Sequence, residues 1–175
     1  MPAGRHDDPV GGLDGMRIGP AVPGDLDTLG RVFGPGARRY YLERSRQQGV
    51  LLVARVGHRA VGAVFVSTEP AKESAIIRHL GKVPMLHRLM VDEPVRRRQV
   101  GTRLISAAER LLRTGGHRRV AIGVDVENNR AARLYLRLGY QEWAYGLLET
   151  IREDVNEHGK VVVLPDECRV FVKNL

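Results

Sequence analysis

Cysteine is nearly absent from this chain: Cys168 is the only one in 175 residues. No intrachain disulfide can form, and a four-thiolate zinc site is excluded. A reducing cytoplasm is the expected compartment. No run approaches 18 consecutive apolar residues, so no transmembrane helix and no membrane partner are expected. Residues 1–15 contain no apolar stretch of the kind a secretory signal carries. Rich in Gly, Pro and Asp and without periodicity, they are expected to be a disordered leader ahead of one domain over 16–175. Aromatic residues are also scarce, at 5% of the chain. None lies among the arginines at 96–98, whereas a surface for single-stranded nucleic acid interleaves stacking rings with positive charge.

What the chain has is length and basic charge. A domain of this size buries roughly 70% of the surface its unfolded chain exposes, enough for a core without staples. Lys and Arg number 28 against 20 Asp and Glu, a net charge of +8. Such an excess points to a polyanionic partner. Residues 96–137 hold eleven arginines and three acids, which equals the net charge of the whole chain. Residues 149–167 hold six acids and two bases. The basicity is therefore local, and an acidic flank elsewhere leaves a cationic substrate open.

Hydrophobic periodicity supplies the element order. Met16–Pro20 reads as a strand, Gly24–Phe33 as a helix and Arg38–Gln48 as a second helix. Val50–Val56 and Ala60–Thr68, separated by Gly57-His58-Arg59, read as a β-hairpin. The stretch 69–84 shows no clear period. Met85–Val91 reads as a strand ended by Glu93-Pro94. Val100, Leu104, Ala108, Leu111 and Leu112 recur at helical spacing up to Gly115-Gly116. Val120–Val126 is a strand, Asn128–Leu138 a helix closed by Gly139, and Tyr140–Tyr145, Lys160–Leu164 and Cys168–Val172 are three further strands. The alternating middle section implies parallel pairing through crossover helices, within one mixed sheet with helices on both faces.

Between the strand ending at Val91 and the helix starting near Val100 lies Arg96-Arg97-Arg98-Gln99-Val100-Gly101-Thr102. A strand–loop–helix with glycine at the turn aims free N–H groups at one point, and the helix dipole adds positive potential there. A diphosphate needs such a site. The loop lacks the Gly-Lys-Ser/Thr ending of a Walker A motif and the three glycines of a dinucleotide fingerprint. On the loop alone, a solvated basic turn is an equal reading.

The segment Leu89–Leu104 resembles the signature of the GNAT superfamily of acetyl-CoA-dependent N-acetyltransferases: a strand, then Arg/Gln-x-x-Gly-x-Gly/Ala, then a helix. Arg96 matches its first position and Gly101 its last, while Gln99 stands where the middle glycine is expected, so a side chain occupies that approach to the phosphates. Asn128-Asn129-Arg130-Ala131-Ala132-Arg133-Leu134-Tyr135-Leu136-Arg137-Leu138-Gly139-Tyr140 is similar to the family's second segment, Asn-x-x-Ala-x-x-Leu-Tyr-x-x-x-Gly-Phe/Tyr. Met16–Ala21 with Gly24-Asp25-Leu26 resembles its first strand and helix. The resemblance implies an α/β single domain with a mixed, largely antiparallel sheet of about six to seven strands and flanking helices. It implies acetyl-CoA as acetyl donor, an amine as acceptor and no metal, with the oligomeric state, a homodimer included, left open.

The resemblance also implies roles. The strand Met85–Val91 would carry a bulge and splay from Val120–Val126. Backbone groups of Leu89, Met90 and Val91 would hold the pantetheine arm. Arg96, Arg97, Arg98, Gln99, Val100, Gly101 and Thr102 would hold the pyrophosphate, and Asn128 would bond the cofactor or the strand opening. Tyr135 would be the general acid for the leaving thiolate, although a Tyr on an apolar helix face also suits a core. Asn128 equally suits a helix cap. His87 is the base candidate on pKa grounds, against a plain strand residue, with Glu69 and Glu73 as alternatives. Cys168 reads as a buried small side chain. Trp143 either lines the acceptor pocket or packs. A non-catalytic acyl-CoA sensor on the same fold and a basic nucleic-acid-binding module are the rival functions.

Overall fold

The structure, a computed structural model, describes residues 13–44, 46–155, 158 and 160–175. Most of the leader, residues 1–12, lies outside the described residues. The elements run β1 (Arg17–Pro20), α1 (Pro23–Phe33), α2 (Pro35–Arg44), β2 (Gly49–Val56), β3 (Arg59–Ser67), α3 (Ser74–Leu80), β4 (Met85–Val91), α4 (Val100–Thr114), β5 (Arg119–Asp125), α5 (Asn129–Arg137), β6 (Gln141–Glu142), β7 (Leu148–Val155) and β8 (Val161–Asn174). A 3₁₀ turn, Glu93–Val95, leads from β4 toward α4.

The eight strands form one sheet in the order β1-β2-β3-β4-β5-β8-β6, with β7 paired to β8. All pairings are antiparallel except β4 with β5. The crossover helix α4 accounts for that one parallel pair. One core lies between the sheet and α4 and α5, and includes Leu52, Val64, Leu86, Val100, Leu104, Ile105, Ala108, Ile122, Tyr135 and Phe171. The other face packs Leu29, Ala37 and Tyr41 of α1 and α2 on Leu51, Val53, Ala63 and Phe65. Beside it, Ile76 and Leu80 of α3 pack on Met85, Ala121 and Val170.

Several sequence expectations shift. The second helix starts at Pro35 and ends at Arg44, because proline, with its fixed φ and no N–H to lose, suits the first helical turn. In α4 the fifth buried apolar position is Ile105, while Leu111 is exposed. The unassigned stretch 69–84 contains α3, a seven-residue helix held by Ile76 and Leu80. The strand expected over Tyr140–Tyr145 shrinks to Gln141–Glu142. The two strands expected at Lys160–Leu164 and Cys168–Val172 are one strand, β8, and its hairpin partner β7 was not anticipated. Pro165 does not break β8 because it pairs with Ile151 where β8 has a strand on one side only.

A buried ion pair ties α1 to the sheet. Asp25 accepts from the Val22 N–H at 2.6 Å and from Arg55 Nε at 2.9 Å, with Arg55 Nη2 on its second oxygen. Arg55 Nη2 also donates to the Pro20 carbonyl. Burial opposes the charge on Asp25, but the Arg55 and Val22 hydrogen bonds and the Arg55 charge outweigh it and hold the carboxyl below its ordinary pKa. Its stabilisation is therefore complete above the ordinary carboxylate range and is lost as pH falls through the folded pKa. Removing one partner of such a pair leaves an uncompensated buried charge. Asp25→Ala is expected to destabilise the domain by about 3 kcal/mol in urea unfolding at pH 7, and by clearly less at pH 3. An equal loss at both pH values would contradict the charge argument.

Candidate active site

The site begins with one extra residue in β4. On the β3 side, Phe65 pairs with His87 and Ala63 with Met90, so Val64 alone stands opposite Arg88 and Leu89. Arg88 takes up the excess with φ 51°, a left-handed conformation uncommon for a residue with a Cβ. A bulge of this kind changes which face later residues address. Leu86, Leu89 and Val91 all pack toward α4, whereas His87 and Met90 face the α1–α2 side.

On its other side β4 parts from β5. The parallel pairing covers only Met85↔Ala121 and Leu86↔Ile122. Beyond it, the Asp92 N–H bonds back to Val61 of β3. By strand alternation after the bulge, the Leu89 carbonyl and the main-chain groups of Val91 point away from β3, into the gap. The Val91 carbonyl there accepts from Arg96 Nε at 3.0 Å. Across the gap Gly123 is exposed although it lies in mid-sheet between buried Ile122 and Val124. A gap of this form leaves main-chain donors and acceptors free for an extended amide-bearing chain.

At the end of the gap, α4 starts without a side-chain cap. Among the described residues, no acceptor is recorded for the N–H groups of Val100, Gly101 and Thr102. Gln99 has φ 62° and ψ 12°, the conformation that the expected glycine would adopt, so the departure from the motif lies in the side chain and not in the backbone. A left-handed residue followed by a right-handed helix turns successive N–H groups to one side. A Cβ on Gly101 would meet Leu89, Val91 and Leu134 at 3.5–3.7 Å, so β4, α4 and α5 converge there. Arg96, Arg97 and Arg98 are exposed around this turn. Other arginines of the basic segment serve the fold: Arg103 donates to the Met16 carbonyl and Arg119 to the Leu80 carbonyl.

Asn128 caps α5, its Oδ1 accepting from the Ala131 N–H at 3.0 Å. Tyr135 on the same helix is 2% exposed and packs against the rings of Tyr140 and Phe171. Burial pushes its hydroxyl above the ordinary tyrosine range, so it keeps its proton and is a donor. Behind it, Glu109 and Lys173 form an ion pair at 2.9 Å next to the Tyr140 ring. Burial, with Glu109 nearby, also keeps the Tyr140 hydroxyl protonated.

His87 lies on the opposite face, beside Phe65. Burial first, then the charge of Arg44, lowers its pKa to about 4. Cys168 stands across from Asp125 and Leu148, with Sγ 3.0 Å from where a Cβ on Gly123 would lie. Burial, then Asp166, Glu73 and Asp125, raise the thiol to about 11. The thiol is therefore protonated and a poor nucleophile. Trp143 packs beside this cluster, donates Nε1–H to Gly146, and meets His79 and Tyr145 edge to face. Glu73 is bonded by the Thr150 hydroxyl, and Glu69 by the Gln48 N–H. The acidic flank at 149–167 forms, with Asp125 and Glu127, a groove at the end of β5. It has a volume of about 790 Å³ and is lined by Asp125, Glu127, Glu149, Asp166 and Glu167 with Val126, Thr150, Ile151 and Pro165.

An unzipped parallel pair that leads to an uncapped helix is a shape suited to a linear, anionic, amide-containing molecule. The model of the acetyltransferase (GNAT) family matches residues 26–140, which is 115 of the 175 residues, and the chain belongs to that family. An uncharacterised N-acetyltransferase of Methanocaldococcus jannaschii is 33% identical over 106 residues, covering 59% of this chain and 45% of that protein. The chain thus spans less than half the length of that relative. Among solved structures, the fold is similar to the ribosomal-protein-S18-alanine N-acetyltransferase of Escherichia coli, with a TM-score of 0.64 and 14% identity over 91% of this chain and 93% of that one. It is also similar to NAA60 of Arabidopsis thaliana in complex with a bisubstrate analogue, with a TM-score of 0.66 and 21% identity over 91% and 97%.

The His87 environment has a consequence for stability. An unfolded chain protonates this imidazole near pH 6.5, while the folded one resists until about 4. Between those values the unfolded state binds more protons, so stability falls as pH drops. The full effect is on the order of 3 kcal/mol. His87→Gln is expected to flatten the loss of stability between pH 6.5 and 4, read by urea unfolding across that range. A slope equal to the wild type's would show that His87 is not desolvated.

Proposed function

We propose that the protein transfers the acetyl group of acetyl-CoA to a primary amine, by direct attack of the amine within a ternary complex. The observation that carries this reading is the parting of β4 from β5 after Leu86↔Ile122, which leaves the main chain of Leu89 and Val91 facing an open gap that leads to the uncapped start of α4. The residues present fit the donor. Leu89 and Val91 would hold its pantetheine amides, Met90 between them being paired to Ala63 of β3, and the N–H groups of the Arg97–Thr102 turn its pyrophosphate, with Arg96, Arg97 and Arg98 adding charge. Asn128 keeps its amide NH₂ for the same gap. When bound, acetyl-CoA supplies an electrophilic thioester and a thiolate leaving group.

The protein's own groups would then act as follows. The Leu89 N–H donates to the acyl oxygen, where negative charge develops. Tyr135 donates its hydroxyl proton toward the departing sulfur. His87, neutral near pH 7, accepts a hydrogen bond from the amine. With a pKa of about 4 it is a weak base, able to take the proton only as the nitrogen turns positive during attack. The carboxylates around the groove at Asp125 favour cationic amines near this mouth. The unpaired, buried Cys168 suits a reducing cytoplasm.

Free thiol release from acetyl-CoA, measured over a panel of amines, tests the reading. Release that depends on the amine is expected. Tight CoA binding with no release by any amine would favour the acyl-CoA sensor instead. Tyr135→Phe is expected to lower kcat by about 100-fold with acetyl-CoA affinity nearly intact. Unchanged turnover across the pH range would remove Tyr135 from the mechanism. Raising the salt concentration is expected to raise KM for a di- or polycationic amine more than for a singly charged one; equal sensitivity would exclude the acidic flank from acceptor recognition.

A further inference from the structure

The bulge in β4 has a dedicated partner. Tyr41 of α2 is fully buried, and its hydroxyl donates to the Arg88 carbonyl at 2.8 Å. The two residues are 47 positions apart in the chain. The ring otherwise sits among apolar side chains: Leu29, Val53, Ala63 and Phe65 share its cluster. A phenylalanine would fill the same space, so what the hydroxyl adds is the bond to Arg88. Arg88 is also the residue with positive φ, and its guanidinium lies over the neighbouring Tyr40 ring at 4.7 Å.

Peptide planarity links this bond to the gap. The carbonyl of Arg88 and the N–H of Leu89 belong to one trans peptide, so they point in opposite directions. Tyr41 holds the carbonyl from the α1–α2 face. The Leu89 N–H is thereby turned the other way, off the α1–α2 face. Without that hold, the peptide can rotate to relieve the left-handed conformation at Arg88, and the N–H turns with it. A bond accepted by the carbonyl also polarises the peptide and makes its N–H a stronger donor. Burial keeps the Tyr41 hydroxyl protonated, so it donates throughout the working pH range.

We propose that Tyr41 is a positioning residue for acetyl transfer: through the carbonyl of Arg88 it fixes and strengthens the Leu89 N–H that polarises the acyl oxygen. The inference rests on the acetyl-CoA reading above. The chemical step is unchanged: the amine nitrogen forms a bond to the acyl carbon, the carbon–sulfur bond breaks, and the proton lost by nitrogen is balanced by the one gained by sulfur. Tyr41 gains and loses nothing.

The test is Tyr41→Phe, measured by turnover and by the infrared stretch of a ¹³C-labelled thioester carbonyl in bound acetyl-CoA. Leu29→Val, in the same cluster, controls for loosened packing. In the wild type the carbonyl band should lie below its frequency in water. In Tyr41→Phe it should move back toward that frequency, with kcat reduced about tenfold or more and the affinity for CoA itself within about twofold. Leu29→Val should keep both the band and kcat. An unmoved band in Tyr41→Phe overturns the proposal, whether or not turnover falls, because a fall alone would mark a structural role. A wild-type protein that binds acetyl-CoA with a shifted band but acetylates no amine refutes the activity and leaves the positioning intact. One that fails to bind acetyl-CoA overturns both.

Discussion

Where Val64 stands opposite both Arg88 and Leu89, β4 advances one residue further than β3, and Arg88 must turn into the left-handed region to stay in the sheet. For a residue with a Cβ this costs of order 1–2 kcal/mol. The Tyr41 hydrogen bond and the packing of Arg88 over Tyr40 offset it. The consequences reach the rest of the domain. Leu89 and Val91 move onto the face that α4 covers, so the bulge helps set how β4 meets α4. The strand bends away from β5 after two paired positions, so the sheet has an opening at its centre instead of at an edge. Unpaired main chain inside a protein is ordinarily a defect. Here it opens onto the exposed Gly123 and the uncapped start of α4.

The sequence made this architecture legible where one period dominated. Met85–Val91 was placed to the residue because an apolar run sits between Pro84 and Glu93-Pro94. The helix α4 was equally plain from its apolar stripe. The bulge had no local sign: Arg88 is not a glycine, and only the family resemblance pointed to it. The strand β7 is illegible in the sequence because its apolar residues, Leu148, Ile151 and Val155, recur at i, i+3 and i+7, a helical spacing, and not at a strand's period of 2. Among the described residues it pairs with β8 alone, as a hairpin arm. The helix α3 was too short, with two buried anchors, to give a period. In the candidate site, the loop and α5 carry motifs, and the structure gives them a left-handed turn at Gln99 and a cap at Asn128. The ordinary histidine pKa, which sequence supplies, points to His87 as a base, and burial removes it. Nothing in the sequence joins position 41 to position 88, so the Tyr41 bond to Arg88 is visible only in the fold.

The basic excess needs a finer reading than its location suggested. Residues 96–137 carry it, but Arg103 and Arg119 are spent on main-chain carbonyls of distant elements, and Arg96 on the end of its own strand. A guanidinium with several donors is well suited to closing such gaps in the hydrogen-bond network. Part of the net charge is therefore structural. To the charge of the loop arginines the N–H groups of Val100, Gly101 and Thr102 add partial charges that act at short range and in fixed directions.

The two flanks of the gap consequently differ in kind as well as in sign. The β4 flank leads to main-chain donors whose directions are set by backbone conformation, which is why Gln99 replaces a glycine with the left-handed turn kept. The β5 flank ends in carboxylates on β5, β7 and β8, which act through side chains. A site built from backbone constrains the sequence weakly and the ligand strongly, since any residue that adopts the conformation presents the same N–H. A site built from side chains does the reverse. On this division the donor would be recognised by the fold itself, while the choice of amine would be left to a handful of exposed carboxylates that can change without disturbing the sheet.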